Sequence, residues 1–200
     1  MLWDGELVER VVLEKVKRNI YKAVIKWSPT NSETTFVAVV KLEDNYPLFV
    51  NNALEYFGCK KSEVLVTKIG GKRKILYKLE SPEIERIAYE SKDILRKYVM
   101  SLLLLGCDVS KCQLIKFGDG CRVINITKLS PDGVNIMMDL TEKMLSIFKN
   151  EDVGDYVTQK FRNVNLNRFE AKLKLLRDDV DLDADERHEK LVIRRIENFL

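Results

Sequence analysis

Short β-rich runs of apolar residues alternate with polar turn sequences along the first two thirds of this chain. Residues 20–27 and 35–42 are two such runs, and the segment between them, 28–32, is rich in turn-forming residues. Pro47 then begins an apolar stretch that ends before Gly58, where a glycine can adopt the left-handed conformation that closes a helix. The pattern predicts a β-hairpin followed by a helix.

The same order of apolar and polar residues occurs twice more, in residues 58–83 and again in residues 106–132. Each copy contains a glycine, a β-rich run, a glycine turn, a second β-rich run and a Ser-Pro-acid sequence. Repeats of this kind commonly bury the apolar face of each unit on its neighbour. The matching positions are Gly58 with Gly106, Cys59 with Cys107, Ser62 with Ser110, Lys68 with Lys116, Gly70 with Gly118, Arg73 with Arg122, Ser81 with Ser130, and Pro82 with Pro131.

Both copies predict a hairpin that leads into a helix. Gly70-Gly71 and Gly118-Asp119-Gly120 supply the positive φ angles that tight hairpin turns need. Ser81-Pro82 and Ser130-Pro131 fit helix starts, because serine caps free N–H groups and proline suits the first helical position. The helices predicted from these starts are residues 82–105 and 131–148.

These elements predict an α+β fold, in which three tandem ββα units form an antiparallel sheet packed by helices, with a helical appendage at the C-terminus. The ββα-repeat domain spans residues 1–150, and residues 151–200 form a linker and C-terminal amphipathic helices. The three units are residues 20–58, 59–106 and 107–150, each to within a few positions.

The two ends of the chain predict helices that flank these units. Residues 6–18 fit a helical apolar stripe, although Val11-Val12-Leu13 also fits a strand, and we prefer the helix. The polar residues 151–167 predict a linker. Two amphipathic helices follow it, at residues 168–176 and 183–200.

Composition narrows the class of protein. Of 200 residues, 46% are hydrophobic, which is ordinary for a folded globular protein. Charged residues reach 32% whereas glutamine is scarce, a balance that favours a thermophilic source. The most apolar run, residues 99–105, is far shorter than the roughly 20 residues of a membrane span, and no signal peptide is visible. We expect a cytoplasmic protein that does not associate with membranes.

Four cysteines raise the questions of disulfides and metal binding. Cys59 and Cys107 take matching places after predicted helix ends, where a small thiol packs well in a core. Cys112 and Cys121 lie at different heights of the third predicted hairpin, more than ~10 Å apart, which is too far for a disulfide. Their spacing also lacks the paired motifs of zinc sites. We interpret all four as core cysteines, with metal and redox roles as alternatives, and expect no cofactor.

No set of residues in the sequence identifies a reaction. His188 is the single histidine and lies on a predicted charged helix face, which argues against histidine triads and multi-histidine zinc sites. The acids of residues 179–185 alternate as in a calcium loop, but Ala184 and Lys190 replace the glycine and glutamate that such a loop requires. We therefore name no catalytic residue and no metal site, and favour a protein that is not an enzyme.

Positive charge is concentrated in the second predicted hairpin, although the whole chain carries a net charge of only +3. Residues 60–79 contain seven lysines and arginines and a single acid, Glu63. Like charges at a hairpin tip repel each other unless an anion shares the site, and a basic β-ribbon can follow nucleic-acid phosphates. The candidate nucleic-acid-binding residues are Lys68, Lys72, Arg73, Lys74 and Lys78, with Lys116 and Arg122 in the third hairpin.

The sequence thus favours the hypothesis of a non-catalytic nucleic-acid-binding protein, with DNA expected ahead of RNA as the partner. Lysines on exposed strands also discourage edge-to-edge aggregation, and this simpler interpretation stays open. A second hypothesis is a structural or adaptor protein that forms homo-oligomers through its C-terminal helices. A third is a degenerate or divergent nuclease.

An apolar helix ending in Phe57-Gly58, a basic hairpin over residues 68–78 and a helix start at Ser81-Pro82 resemble the αββαββα half-domain of LAGLIDADG homing endonucleases. The resemblance covers residues 6–105 and implies a saddle of strands that reads DNA. That family cuts with metal-bound acids at the ends of its signature helices. This chain has Lys17-Arg18-Asn19 where the Asp-x-Asp-Gly type of sequence is expected, so the resemblance implies a fold and DNA binding but no catalytic residue.

Overall fold

The structure is a computed structural model, and it describes residues 2–3, 6–84, 92–118, 120–128, 150–183 and 187–200. The chain divides into two compact units. The sheet unit comprises Met1–Glu43, Lys61–Ile87 and Leu114–Ile124. The helical unit comprises Asp44–Lys60, Ala88–Gln113 and Asn125–Leu200.

Five antiparallel strands form the main sheet of the sheet unit, in the order β3-β4-β5-β7-β6. Strand β7 pairs with β5, so the first two predicted hairpins lie side by side in one sheet. Strands β1 and β2 form a two-stranded sheet, and so do β8 and β9. The strands are β1 (Leu2–Trp3), β2 (Glu6–Leu7), β3 (Arg10–Lys17), β4 (Ile20–Lys26), β5 (Ser32–Lys41), β6 (Val64–Ile69), β7 (Lys72–Leu79), β8 (Gln113–Phe117) and β9 (Gly120–Ile124).

The prediction of a helix over residues 6–18 is wrong, because β2 and β3 occupy this segment. In β3, Val11 and Leu13 pack against the core of the sheet unit, while Val12 and Glu14 are exposed. This period of two is that of a strand with one buried face, and β-branched residues favour the same conformation. The alternative interpretation of Val11-Val12-Leu13 as a strand is therefore the correct one.

All three predicted hairpins are present. Gly70 and Gly71 have φ angles of 58° and 75°, so the second hairpin turns through two left-handed residues, as the sequence predicts. Gly118 has a φ angle of 55° at the third turn. The three tandem ββα units are not confirmed, however, because the first two hairpins share one sheet with β3 whereas the third forms a sheet of its own.

One hydrophobic cluster of the sheet unit lies on a single face of the main sheet. Ala23, Ile25, Val37, Leu65 and Leu76 are all fully buried there, on four adjacent strands. Complete burial of a large aliphatic side chain contributes about 1.5–3 kcal/mol. Strands β5 and β7 also bury three consecutive residues each, so residues on both of their faces are buried.

The helical unit is built from helices that end and begin at recognisable signals. Gly58 and Gly106 follow the first two helical segments with φ angles of 72° and 88°, as predicted for glycine helix ends. The Asn165 side chain accepts the N–H of Arg168 at 3.1 Å and caps the fourth helix. The helices are α1 (Tyr46–Ala53), which continues as a 3-10 helix (Leu54–Phe57), α2 (Lys92–Leu105), α3 (Asn150–Phe161), α4 (Leu166–Asp179) and α5 (His188–Glu197).

Three phenylalanines join α3, α4 and the 3-10 helix. The ring centroids of Phe57, Phe161 and Phe169 lie 5.4 to 5.7 Å apart in edge-to-face pairs. Such pairs contribute about 0.5–1.5 kcal/mol each beyond the area they bury. The aromatic cluster therefore holds the C-terminal helices onto the earlier part of the helical unit.

The start of α2 and the predicted linker both differ from expectation. Residues 80–84 are not helical, and Ser81 forms a local turn in which its hydroxyl accepts the N–H of Glu83 at 3.1 Å. Residues 151–167, predicted as a linker, lie mostly in α3. The reason is that Val157 and Phe161, one helical turn apart, are both buried in an otherwise polar segment.

The predicted C-terminal helices are present, with altered bounds. The second begins at His188 rather than near residue 183, and the helix predicted at residues 131–148 lies outside the described residues. Phe169, Leu173, Val192 and Ile196, from the two apolar stripes, are buried within the chain. Within the described residues, no helix has the length and apolar character needed to cross a membrane.

Candidate nucleic-acid interface

Strand directions bring two hairpin turns and one strand end to the same end of the main sheet. Strands β3, β5 and β6 finish there, and β4 and β7 begin there. The β3–β4 turn contains Arg18 and Asn19, and the β6–β7 turn contains Gly70-Gly71. The Asn19 carbonyl accepts the N–H of Val39 at 2.8 Å, which places the first of these turns beside the end of β5.

This end of the sheet is rich in positive charge, and we call it the basic end. All of its basic residues are exposed except Lys74, which is half-buried. Along these strands and just beyond them, the neighbouring acids are Glu14 and Glu43. The basic end consists of Lys15, Lys17, Arg18, Lys41, Lys68, Lys72, Arg73 and Lys74.

Cross-strand pairing fixes four of these bases relative to one another. Lys68 lies opposite Arg73 in the β6–β7 pair, and Lys74 lies opposite Lys41 in the β5–β7 pair. Directly opposed residues of antiparallel strands have Cβ atoms about 4.5–5.5 Å apart, so like charges in these positions destabilise each other. An anion bound between them would relieve the repulsion.

The carboxylate of Glu43 neutralises part of the positive charge of the basic end. Lys41 Nζ lies 2.7 Å from Glu43 Oε1, and both side chains are largely exposed. The hydrogen bond from Lys41 and its positive charge lower the pKa of Glu43 below its usual value. Because the pair is exposed, water and salt screen it, and a phosphate can compete for Lys41.

Lys78 lies at the other end of β7 and has a different role. Its ammonium group contacts Glu63 at 2.8 Å and Glu33 at 3.0 Å. Burial by itself disfavours the ammonium form, but hydrogen bonds to these two carboxylates outweigh it and raise the pKa of Lys78. Lys78 thus balances two acids within the sheet unit, and a phosphate would have to displace them.

The third hairpin carries its bases away from the basic end. A Cβ on Gly118, at its turn, would stand 3.5 Å from Glu80 Oε1. Glu80 follows the last residue of β7, whereas Lys72 is the first, and that strand spans roughly 23 Å at 3.3 Å per residue. Lys116 and Arg122 therefore do not join the predicted group around Lys72.

Arg122 also has contacts of its own. Its guanidinium carbon lies 5.0 Å from the centroid of the Phe117 ring, and Nη1 donates to the Cys121 carbonyl at 2.9 Å. A cation above an aromatic face is stabilised by the ring quadrupole. One face of the Phe117 ring is therefore occupied by Arg122.

Four of the eight residues of the basic end are not predicted from the sequence. Lys15, Lys17 and Arg18 belong to the segment predicted as a helix, so their position at a strand turn is missed. Lys41 closes the predicted first hairpin, but nothing local shows that β7 will pair with β5 and set Lys74 opposite it. The available signal is the strand interpretation of Val11-Val12-Leu13, which leads directly into a basic turn.

The helical unit, in contrast, contains charged and titratable groups that are buried. His188, predicted on a charged surface, is 5% exposed, and its ring lies 5.4 Å from Tyr46 and 6.1 Å from Phe49 between centroids. Burial, and then the positive charge of Lys128, lower the pKa of His188 to about 4. The imidazole is therefore neutral at pH 7.

An ion pair is buried in the same unit. Arg177 Nη1 donates to both carboxylate oxygens of Glu189, at 2.8 and 2.9 Å, and Nη2 donates to Asp178 at 3.0 Å. The side chains of Arg177 and Glu189 are only 7% and 4% exposed. Two-oxygen binding of a guanidinium is a strong and directional contact that connects α4 to α5.

All four cysteines are free thiols, and the prediction that they lie in the core is confirmed for three of them. Cys59, Cys107 and Cys121 are buried and Cys112 is partly exposed. Among the residues that the structure describes, no cluster of three or more histidine, cysteine and acidic side chains is placed to hold a metal ion.

Comparison with known proteins shows a similar solved structure but no matching family. No protein family matches the sequence, and no curated protein matches it. Among solved structures, the chain is similar to the proinflammatory kinase CtkA of Helicobacter pylori, with a TM-score of 0.46 and 10% identity, over 94% of this chain and 92% of that chain. At this TM-score the likeness carries no inference about the activity of this chain.

The expected resemblance to LAGLIDADG homing endonucleases is wrong. The similar solved structure is a kinase and not a homing endonuclease. The αββαββα order requires a helix before the first hairpin, where this chain has β3, and β3 pairs with β4 as part of the main sheet. The predicted helix start at Ser81-Pro82 is absent as well, since residues 80–84 are not helical.

Proposed function

We propose that this chain binds nucleic acid, without catalysing a reaction on it, through the basic end of the main sheet. The observation that carries the proposal is the meeting of two basic hairpin turns and the end of β5 at one end of the sheet. DNA is the first expected partner and RNA the second. A thermophilic source and a cytoplasmic location stay predictions from composition.

The dimensions of the basic end suit a polyanion. Five strands spaced about 4.8 Å apart spread the basic residues over roughly 19 Å. A DNA duplex presents one charge for every ≈1.7 Å of its axis, which amounts to about eleven phosphates over that length. Lys68 and Lys72 lie at an exposed tip, where flexible ammonium groups can adjust to a backbone of phosphates.

Separation of charge within the sheet unit supports the same choice of surface. Lys78, at the other end of β7, is held by Glu33 and Glu63, and Glu80 follows the same strand. At that end acids and bases offset each other, since Arg10 lies opposite Lys26 there, whereas bases predominate at the basic end. A phosphate backbone approaching the unit would therefore be attracted more strongly to the basic end.

The C-terminal helices support the assembly hypothesis less well. Phe169, Leu173, Val192 and Ile196 are already buried within the chain, so the two apolar stripes are not open to a second copy.

Binding of fluorescently labelled DNA and RNA, measured by anisotropy at several salt concentrations, tests the proposal. The variant Lys72→Ala/Arg73→Ala/Lys74→Ala should bind more weakly, on the order of tenfold to a hundredfold. If all three residues contact duplex phosphates, the slope of log K against log salt should shrink by up to about 2.7. Duplex and single-stranded DNA and RNA are compared in parallel.

A matched control removes the same charges elsewhere. Arg168, Lys172 and Lys174 are exposed on α4, and their triple alanine variant makes the identical change in residue types and net charge. It should bind nearly as well as the unchanged protein. Equal affinity of the two triple variants, or no affinity of the unchanged protein for any nucleic acid at low salt, overturns the proposal.

A further inference from the structure

Two cysteines meet just after the end of α2, on either side of a tight turn. Cys107 follows Gly106, is fully buried and forms an isolated β-bridge with Lys128. The chain then turns, because the Asp108 carbonyl accepts the N–H of Lys111 at 3.0 Å and that of Cys112 at 3.2 Å. This brings Cys112 back to the level of Cys107.

The two thiols are neighbours across this turn. They lie close enough for each side chain to influence the ionisation of the other, and the backbone of Thr127 acts on the Cys112 sulfur. Thr127 is held in place because its carbonyl accepts the N–H of Asp108 at 2.9 Å. Proximity of the two cysteines is the first requirement for a disulfide.

The two thiols differ in chemical character. The hydrogen bond from Cys107 lowers the pKa of Cys112, and the backbone of Thr127 adds to this effect. Burial raises the pKa of Cys107 well above its usual value. Cys112 is also the more exposed of the two. A partly exposed thiol with the lower pKa, beside a buried one, is the arrangement in which one sulfur attacks and the other resolves.

We propose that Cys107 and Cys112 are a reversible redox site, which forms an intramolecular disulfide by exchange with small-molecule disulfides. This role differs from nucleic-acid binding and does not depend on it. From the sequence we interpret both residues as core cysteines, and the structure adds their proximity across a tight turn and the partial exposure of Cys112.

The exchange takes place in two balanced steps. The Cys112 thiolate attacks one sulfur of a disulfide RSSR, forms a mixed disulfide and releases RS⁻. The Cys107 thiol gives up its proton to solvent, and its thiolate attacks the Cys112 sulfur, forms the Cys107–Cys112 bond and releases a second RS⁻. Together the two thiols lose two electrons and two protons, and RSSR becomes two RSH.

The adjacent contacts indicate what the bond would change. Cys107 Sγ lies 3.5 Å from Tyr46 Oη, and Tyr46 Oη donates to the Leu105 carbonyl at 3.1 Å. Oxidation removes the S–H group from Cys107 while leaving the Tyr46 bond to Leu105 available. The turn from Cys107 to Cys112 becomes covalently closed, so we expect the oxidised protein to melt at a higher temperature.

The test uses the folded full chain in buffers of reduced and oxidised glutathione, followed by acid quenching, alkylation and digestion with trypsin. Lys111 separates the two cysteines, so cleavage after Lys111 places them in different peptides. A disulfide then joins the peptide of residues 98–111 to that of residues 112–116. We expect this linked pair in oxidising buffers, its disappearance on reduction, and alkylation of Cys112 roughly tenfold faster than that of Cys107 in the reduced protein.

Single variants make the result specific. Cys59→Ser should leave the linked pair unchanged, whereas Cys107→Ser should stop the reaction at a glutathione adduct on Cys112. Thermal melts recorded by circular dichroism check that each variant is folded. Persistence of both thiols in fully oxidised glutathione, a stable adduct on Cys112 in the unchanged protein, or a linked pair seen only in denaturant overturns the proposal.

Discussion

The two units use their charged residues in opposite ways. The sheet unit exposes Lys68, Lys72 and Arg73 at one end, where like charges are crowded across neighbouring strands. The helical unit buries Arg177 and Glu189 in a two-oxygen ion pair. Exposed charges contribute little to folding because water screens them, whereas buried charges are satisfied internally and their loss is destabilising. Position within the fold therefore separates charges that a ligand can approach from charges that stabilise the folded chain.

The largest expected effect comes from breaking the buried pair. Among the described residues, Glu189→Ala leaves Asp178 alone to accept side-chain hydrogen bonds from the buried Arg177 guanidinium. Loss of one partner of a buried pair destabilises a protein by roughly 3–5 kcal/mol, and Asp178 should keep the effect near the lower figure. Urea unfolding followed by circular dichroism measures this change.

Two further variants sharpen the result. Glu197→Ala, on the exposed side of the same helix, should change the free energy of unfolding by less than about 0.5 kcal/mol. Arg177→Met/Glu189→Leu removes both charges and should recover much of the loss, since an apolar pair of similar size avoids the desolvation of two ions. If Glu189→Ala and Glu197→Ala have equal effects, the pair is not a buried stabilising contact.

The second prediction concerns pH and His188. The folded pKa of His188 is about 4, below the usual 6.5, so the unfolded chain binds the proton more tightly. Stability should therefore be fully present above pH 6.5 and should fall as the pH drops from 6.5 to 4, by about 2 kcal/mol. Lys128 and Arg195 act in the same direction as burial, whereas Asp44 and Glu189 partly offset it.

Carboxylates titrate in the same pH range as His188. The contribution of His188 is therefore measured as the difference in unfolding free energy between the unchanged protein and a variant that lacks the histidine. His188→Leu is apolar and keeps contact with the Tyr46 and Phe49 rings, and it lacks the titration. The gap in unfolding free energy between the unchanged protein and this variant should move by about 2 kcal/mol between pH 7 and pH 4. A gap that stays constant over this range contradicts a neutral, buried histidine.

Substitution of two glycines in the helical unit should change the free energy of unfolding by smaller amounts, with opposite signs. Gly106 has a φ angle of 88°, and a Cβ there would stand 2.9 Å from Arg195 Nη1. Gly106→Ala should therefore destabilise by roughly 1–2 kcal/mol. Gly154 lies in α3, and no atom of the described residues lies within 4 Å of an added Cβ, so Gly154→Ala should stabilise by about 0.5–1 kcal/mol. Urea midpoints that shift in the same direction for both variants contradict this account.

Local signals in the sequence predict the hairpins and the helix ends well. Gly70-Gly71 turns a hairpin and Gly58 ends a helix because only glycine adopts these φ angles freely, so the residue itself carries the information. Residues 6–18 are harder, since Val8, Val11, Val12 and Val16 fit either period over so short a span. The contacts that decide for a strand come from β4, which no local pattern in this segment reveals.

The candidate site is only partly predictable for the same reason. Lys68, Lys72, Arg73 and Lys74 are adjacent along one hairpin, so their grouping is visible in the sequence. The pairing of β7 with β5 is not, and it brings Lys41 into the group. Long-range contacts also remove residues from the predicted site, because Lys78 meets Glu33, a residue from a different hairpin.

The smallest expected effects come from changing single exposed charges at the basic end. Lys41→Ala should weaken nucleic-acid binding about two- to fivefold and reduce the salt slope by about 1, because one phosphate contact is lost. Glu43→Gln should act in the opposite direction, since it frees Lys41 from the carboxylate 2.7 Å away and removes a negative charge near the phosphates. Neither change should shift the urea midpoint measurably, as both side chains are largely exposed. Anisotropy titrations of the two variants at equal salt decide the matter. If both variants weaken binding, or if both leave it unchanged, Lys41 does not contact a phosphate. The proposed binding surface is then limited to the tip of the β6–β7 hairpin.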